Sequence, residues 1–199
     1  MSASRLALDY RELPDLEKYL FEKVAPRFAG EQSISAFDFF CIVIWKANRA
    51  KSKIAAKLQK KHKDSLENAA RTLTREINQA KTSRQRLEIL INGWGFRLPM
   101  ASAILTILYP TEFTVYDIRV CDELKQFHGT QNKKFETLWG EYQDYISKVR
   151  AAAPPDCNLR DADKWLWGKS FAAQLNRDIK QNFRKQNRRT NPDPSSARR

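Results

Sequence analysis

The chain has 199 residues, 42% hydrophobic and 11% aromatic, enough to bury a core as one domain. Lys and Arg outnumber Asp and Glu by 36 to 23, giving a net charge of +13 and a pI near 9.8. Such a surplus is the footprint of a polyanion binder, nucleic acid first, with a generally basic protein as the plain alternative.

The apolar residues recur at spacings of three and four, β-branched alternation is almost absent, and glycine is scarce at six residues. An all-α protein is expected. Leu13-Pro14-Asp15 opens the first helix; Leu16, Tyr19, Leu20, the Lys23 stem and Val24 share a face, and Pro26 and Gly30 end it. Ser35 with Asp38 resembles a capping box, and AFDFFCIVIW behind it is apolar all round, the pattern of a central buried helix. Further helices are expected at roughly 51–61, 65–80, 83–91, 100–109, 118–127, 131–152 and 162–183. Pro154-Pro155 marks a loop, Asp161 or Asp163 caps the last helix, and Trp165 and Trp167 pack into the core in preference to forming a second site. Asp122 and Glu123 are read as surface. The expected organisation is a compact helical domain over 1–183, with a helical hairpin at about 83–109, and a basic disordered tail over 184–199.

No apolar run reaches ~18 residues and no apolar signal core opens the chain, which argues against a membrane span. Cys41, Cys121 and Cys157 are too scattered for a metal clip, and Cys41 is most simply a small core residue. Sparse, odd-numbered cysteine fits a reducing cytoplasm. His62 and His128 have no ligand-spaced partners, so no metal and no cofactor are expected.

The positive charge is concentrated in two segments. Lys46, Arg49, Lys51, Lys53, Lys57, Lys60, Lys61 and Lys63 follow one another without an acid, and Arg49, Lys53, Lys57 and Lys61 lie four apart on one helical face. A solvated face is the ordinary reading; phosphate contact relieves the mutual repulsion of these cations and is favoured here. The second segment, from Arg177 to Arg199, adds non-specific affinity.

Between RLEILING and LPMASAILTIL, both helical in pattern, GWGF cannot continue a helix. Gly93 and Gly95 permit positive φ and close approach of a phosphate to backbone N–H groups. After the second helix comes FTVYDIRV, an extended piece ending in an isolated carboxylate, Asp117, at the head of the next helix.

In these motifs the chain resembles the helix–hairpin–helix base-excision DNA glycosylases of the endonuclease III type. The family hairpin L-P-G-V-G-x-K-T-A is matched by Ile91-Asn92-Gly93-Trp94-Gly95, and its V-D-T-H-V by Val115-Tyr116-Asp117-Ile118-Arg119-Val120. A weaker match, AFDFFCIVIWKANRAKSKIAAKL, is similar to the family's early buried helix and DNA-probing loop. Together the matches span roughly residues 35–127. The resemblance implies a monomer acting on double-stranded DNA with a damaged or modified base. It places Asn48 where the family has a glutamine that fills the hole left by an extruded base. The hairpin lysine that attacks C1′ in bifunctional members is replaced by Arg97, or by Pro99 in the other register, and neither is a nucleophile. Base removal without strand cleavage is therefore expected. The family's cluster cysteines are absent, which removes the iron–sulfur cofactor. Its histidine after the aspartate is Arg119 here, a candidate to hold a phosphate or the aspartate itself.

Glycosidic cleavage passes through an oxocarbenium-like sugar, which one carboxylate can stabilise while orienting the attacking water. Asp117 is the candidate for that role, kept ionised by the helix N-terminus, although a plain N-cap is the structural alternative. Base flipping requires a wedge, a pocket and a phosphate grip. Trp45, Lys46, Asn48, Arg49, Lys53, Gly93, Gly95, Arg97 and Arg119 are the candidates for DNA contact, with Trp45 and Tyr116 as candidates to stack an extruded base. A non-catalytic helix–hairpin–helix DNA-binding protein is the runner-up, and a helical RNA-binding protein rests on charge alone. The base itself, a lesion or a modified base of foreign DNA such as bacterial viruses carry, is not legible.

Overall fold

The computed structural model describes residues 9–63 and 65–183; the expected basic tail lies outside them. Every regular element among the described residues is helical, in keeping with the all-α pattern of the sequence. None of these helices is long and apolar enough to cross a membrane.

Helix α1 (Leu16–Tyr19) is capped by Asp15, whose carboxylate accepts from Lys18 N at 3.0 Å. It runs through a π turn, Leu20–Val24, straight into α2 (Ala25–Glu31). Pro26, expected to end this segment, instead sits in the first turn of α2. In the π turn the Ala25 N–H already reaches back to Leu20, so a residue without an N–H breaks no α-helical ladder there. The stop comes not at Gly30 but at Gln32, which takes a left-handed φ of 59° and donates to Phe28 O at 2.8 Å.

Helix α3 (Ala36–Ala47) begins at Ser35, whose hydroxyl accepts from Asp38 N at 3.1 Å. The Asp38 carboxylate does not return to complete a capping box. It is buried, accepting from Tyr19 Oη at 2.7 Å and from Arg27. Phe39, Ile42 and Val43 of α3 are wholly buried, and the helix packs on α5 and α7. A 3₁₀ turn, Asn48–Ala50, leads to α4 (Lys51–Lys61), and α5 (Leu66–Gln79) buries Ala69, Ala70, Leu73, Thr74 and Ile77 at helical spacing. Helix α6 (Ser83–Glu88) opens with the capping box Thr82–Gln85.

Helix α7 (Leu98–Leu108) is the hydrophobic centre: every residue from Met100 to Leu108 is buried. At about 1.5–3 kcal/mol for each fully buried Leu, Ile or Met side chain, this one helix is a large share of the apolar driving force. The small residues Ala101, Ser102 and Ala103 let neighbours approach it closely. Helices α8 (Ile118–Leu124), α9 (Phe135–Ala152) and α10 (Leu159–Lys180) follow among the described residues, with α10 lying along α8 and α9. Helix α8 stops at Leu124, short of the expected 127, because Lys125 turns left-handed at φ 54°.

The start of α10 corrects two expectations. Its cap is Asn158, whose Oδ1 accepts from Asp161 N at 3.0 Å, and not Asp161 or Asp163. Trp165 and Trp167 are 41% and 42% exposed and do not enter the core. A helix can bury only one stripe, and in α10 Leu159, Ala162, Asp163, Leu166 and Ser170 occupy it.

Candidate active site

Asp117 owes its position to the residues just before it. The extended stretch from Phe113 to Tyr116 is buried, so each backbone group there needs a partner. Tyr142 Oη donates to Thr114 O at 2.6 Å and Tyr145 Oη to Val115 O at 2.9 Å, both from α9. Ser102 Oγ of α7 accepts from Tyr116 N at 2.9 Å. Ser102 in the small-residue run of α7 therefore acts as an anchor for the segment carrying the carboxylate.

Asp117 then caps α8, its Oδ1 accepting from Arg119 N at 3.0 Å. Its Oδ2 is 2.5 Å from Lys46 Nζ, which arrives from the last turn of α3. Burial alone raises the Asp117 pKa, but the Lys46 charge and the two hydrogen bonds outweigh it and hold the carboxyl below its ordinary value. The group is an ionised carboxylate at neutral pH.

Asp117 and Lys46 line a cleft of about 420 Å³. Trp45 and Val115 form apolar walls, and Glu17 of α1 closes one side. From α10 come Arg160, Asp163, Lys164 and Trp167. Arg160 bridges the acids: its Nη2 donates to Glu17 Oε2 at 2.8 Å and its Nη1 to Asp163 Oδ2, while its guanidinium lies 5.1 Å from the Trp45 ring centre. Lys164 Nζ pairs with Glu17 at 3.2 Å. Cations and carboxylates alternate around the cleft, and its two tryptophans give flat apolar surface.

Of the residues expected to form a site, the fold brings together Trp45, Lys46 and Asp117. Tyr116, a candidate base-stacking residue, is not on the cleft: it is 2% exposed, and its hydroxyl donates to Phe127 O. Strand-like alternation turns Val115 to the cleft and Tyr116 into the core. Asn48 and Arg49 are exposed in the 3₁₀ turn just past Lys46. The Asn48 Oδ1 accepts from Lys51 Nζ at 3.2 Å. Arg119 holds Asp117 through its backbone N–H; its guanidinium instead lies over the Trp167 and Phe171 rings and donates to Gln174. Asp163, Arg160 and Trp167 were not among the expected site residues. Their signal in the sequence was the oddity of two acids and two tryptophans in RDADKWLWGKSF, where Asp163 and Trp167, four residues apart, share one face of the helix.

The hairpin has its own geometry. A π turn, Ile89–Gly93, ends α6, and the next three N–H groups fold back on it. Trp94 N donates to Ile89 O at 2.9 Å, Gly95 N to Ile91 O at 3.1 Å and Phe96 N to Leu90 O at 2.9 Å. These donors, expected to face a phosphate, are engaged inside the turn. Gly95 alone of the two hairpin glycines has a positive φ, 68°. Lys57 Nζ donates to its carbonyl at 2.6 Å, and Lys61 lies 4.9 Å from the Trp94 ring centre. The face of α4 that carries Lys57 and Lys61 thus turns toward the hairpin, while Lys53 is exposed. Arg97, at the head of α7, is exposed and donates to Asn132 Oδ1 at 2.9 Å. Cations therefore flank the hairpin on both sides. Asp122 is exposed as expected, whereas Glu123 is half-buried and pairs with Lys169 at 3.1 Å.

Among other nucleophiles, burial pushes the thiols of Cys41 and Cys121 up to about 11, which keeps both as inert thiols. No protein-family model matches the chain, and neither does any curated protein or solved structure.

Proposed function

We propose that this protein is a monofunctional DNA glycosylase: it extrudes a damaged or modified base from duplex DNA and hydrolyses its N-glycosidic bond. Asp117 is the carboxylate that stabilises the oxocarbenium-like sugar and orients the attacking water. The observation that carries the reading is the ionised Asp117 in a cleft walled by Trp45 and Trp167, next to cationic elements suited to the DNA backbone. The exposed turn with Asn48 and Arg49, just past Lys46, is the candidate for the wedge and the phosphate grip.

No lysine stands in the hairpin, and Lys46 Nζ is paired with Asp117 Oδ2 at 2.5 Å. That supports base removal that leaves an abasic site with an intact strand. The second reading, a non-catalytic DNA-binding protein, draws on the same capping bond from Arg119 N, since a cap needs no chemistry.

The test is to incubate the protein with duplexes and modified phage DNAs carrying a panel of altered bases, then treat with alkali. Strand breaks that require both the alkali and Asp117 identify a monofunctional glycosylase and its base. DNA binding without any base release favours the second reading.

A further inference from the structure

The excision reading uses one of the cleft's carboxylates and leaves a second without a role. Asp163 lines the cleft from α10 and is 2% exposed. Its Oδ2 accepts from Arg160 Nη1, and among the described residues no hydrogen bond reaches its Oδ1. This oxygen is not one of the fully enclosed atoms left without a partner, so it is open to the cleft that Asp163 lines, where a substrate group can reach it. The Asp38 side chain of this same chain shows the ordinary case, with one oxygen held by Tyr19 and the other by Arg27.

The groups facing Asp163 come from every element packed against it. Arg160 and Lys164 share its helix, Lys46 arrives from α3, Asp117 from the head of α8, and the hydroxyls of Tyr142 and Tyr145 from α9. The cations are shared among the acids: Arg160 pairs with Glu17 and with Asp163 itself, Lys164 with Glu17, and Lys46 with Asp117.

We propose that Asp163 is the general acid of excision, donating a proton from its free oxygen to the leaving base while Asp117 stabilises the sugar. This rests on the glycosylase reading above. The C1′–N bond breaks, its electron pair passes to the ring nitrogen, and the Asp163 proton neutralises the base as it departs. Water then adds to C1′, and the proton it sheds returns to the Asp163 carboxylate, so the site is reset with no other reactant. Asp117 stays ionised throughout.

The electrostatics of the cleft agree with this division. Burial raises Asp163 to about 6, with Arg160 and Lys46 opposing and the Asp117 charge assisting, while Asp117 is held low. Two neighbouring carboxyls driven apart in this way form an acid and a base. The substrate class follows from the chemistry. A neutral base leaves poorly without a proton and gains from Asp163. A base with a fixed positive charge needs no proton and meets Lys46, Arg160 and Lys164 at the cleft.

The test is single-turnover excision from the panel of altered duplexes between pH 5 and 9, for the wild type, Asp163→Asn, Asp163→Glu and Asp117→Asn, with folding checked by circular dichroism. The wild-type rate is expected to fall about tenfold per pH unit above the acid's titration, and Asp163→Asn to be ~10²-fold slower with that alkaline limb gone. Asp163→Glu restores the limb, and Asp117→Asn is slow but keeps it. A measurement without variants gives the same answer: the wild-type limb is steep for a poor leaving base and flat for a cationic one such as 7-methylguanine. Excision by Asp163→Asn at the wild-type rate and with the wild-type limb overturns the acid role alone. A folded wild type that releases no base from any duplex overturns the excision reading and this role with it.

Discussion

The hairpin and the cleft are built on opposite principles. The hairpin is local: the π turn at Ile89–Gly93, the left-handed Gly95 and the start of α7 follow one another within about ten residues. The cleft draws on Glu17, Lys46, Asp117 and Asp163, four segments that only the packed helices bring together. The N–H groups of Trp94, Gly95 and Phe96 are satisfied inside the turn, whereas Asp163 in the cleft keeps an oxygen that accepts no hydrogen bond among the described residues. The turn closes on its own N–H groups, while the cleft joins Trp45, Lys46 and Asp117 from the motif segments to Asp163, which no motif marks.

The sharpest way to break that comparison is Asp117→Asn. If the cleft performs the chemistry, base release falls by on the order of 10²–10⁴-fold while duplex affinity is kept. The amide still accepts from Arg119 N, so the α8 cap survives and thermal unfolding shifts little. Unchanged release would return Asp117 to the status of a cap.

A smaller effect is expected from Lys46→Gln. The ammonium is the main counterweight to burial at Asp117, so its loss moves the carboxyl's titration upward. The folded-state pKa of Asp117 is below its unfolded value, so this group stabilises the fold at neutral pH and the contribution is lost as pH falls through the lowered value. In Lys46→Gln that loss begins at a higher pH, as does the acidic limb of excision. Borohydride treatment during incubation with preformed abasic DNA adds a second check. The wild type should give no covalent adduct; an adduct that vanishes in Lys46→Gln would make Lys46 the nucleophile that the hairpin lacks.

Lys53 tests the other side of the comparison, since it is exposed on α4 one turn before Lys57, which reaches the hairpin. Lys53→Gln is expected to weaken duplex binding a few-fold and to reduce the slope of log affinity against log salt by about 0.9, the value for one phosphate contact. Base preference should not change. A slope equal to that of the wild type would leave this lysine as a solvated surface charge.

How much of this was legible follows the same line. Helical periodicity located α3 to α7 to within a few residues, because their apolar stripes face a common core. Asp117 was visible as an isolated acid after a hairpin, since capping and its extended approach are local properties. Asp163 was not, because its meaning depends on the cavity beside it and on Arg160 being shared with Glu17, 143 residues away in sequence. Trp167 and Tyr116 were each assigned to the wrong side of the core surface for the same reason. Apolar residue type says that burial is favourable, and only packing decides which face receives it. Pro26 misled in a different way, as a π turn shifts the hydrogen-bond register and no residue pattern announced it.

The smallest predicted effect separates the two hairpin glycines. Gly95 has φ of 68°, and a Cβ added there would stand 3.3 Å from Lys57 Nζ. Because Lys57 is a flexible side chain that can withdraw, the contact is a minor cost and the left-handed backbone is the major one. Gly95→Ala is therefore expected to destabilise by about 1–2 kcal/mol in urea unfolding. Gly93 lies in the π turn with no positive φ and open space around an added Cβ, so Gly93→Ala is expected to be neutral or to stabilise by about 0.5–1 kcal/mol. In the sequence the two glycines look equivalent as hairpin residues. If Gly93→Ala instead proved as costly as Gly95→Ala, or if it abolished duplex binding while the fold held, the missing side chain would be serving a close approach from outside. The hairpin would then be an open binding element, and the contrast with the cleft would fail.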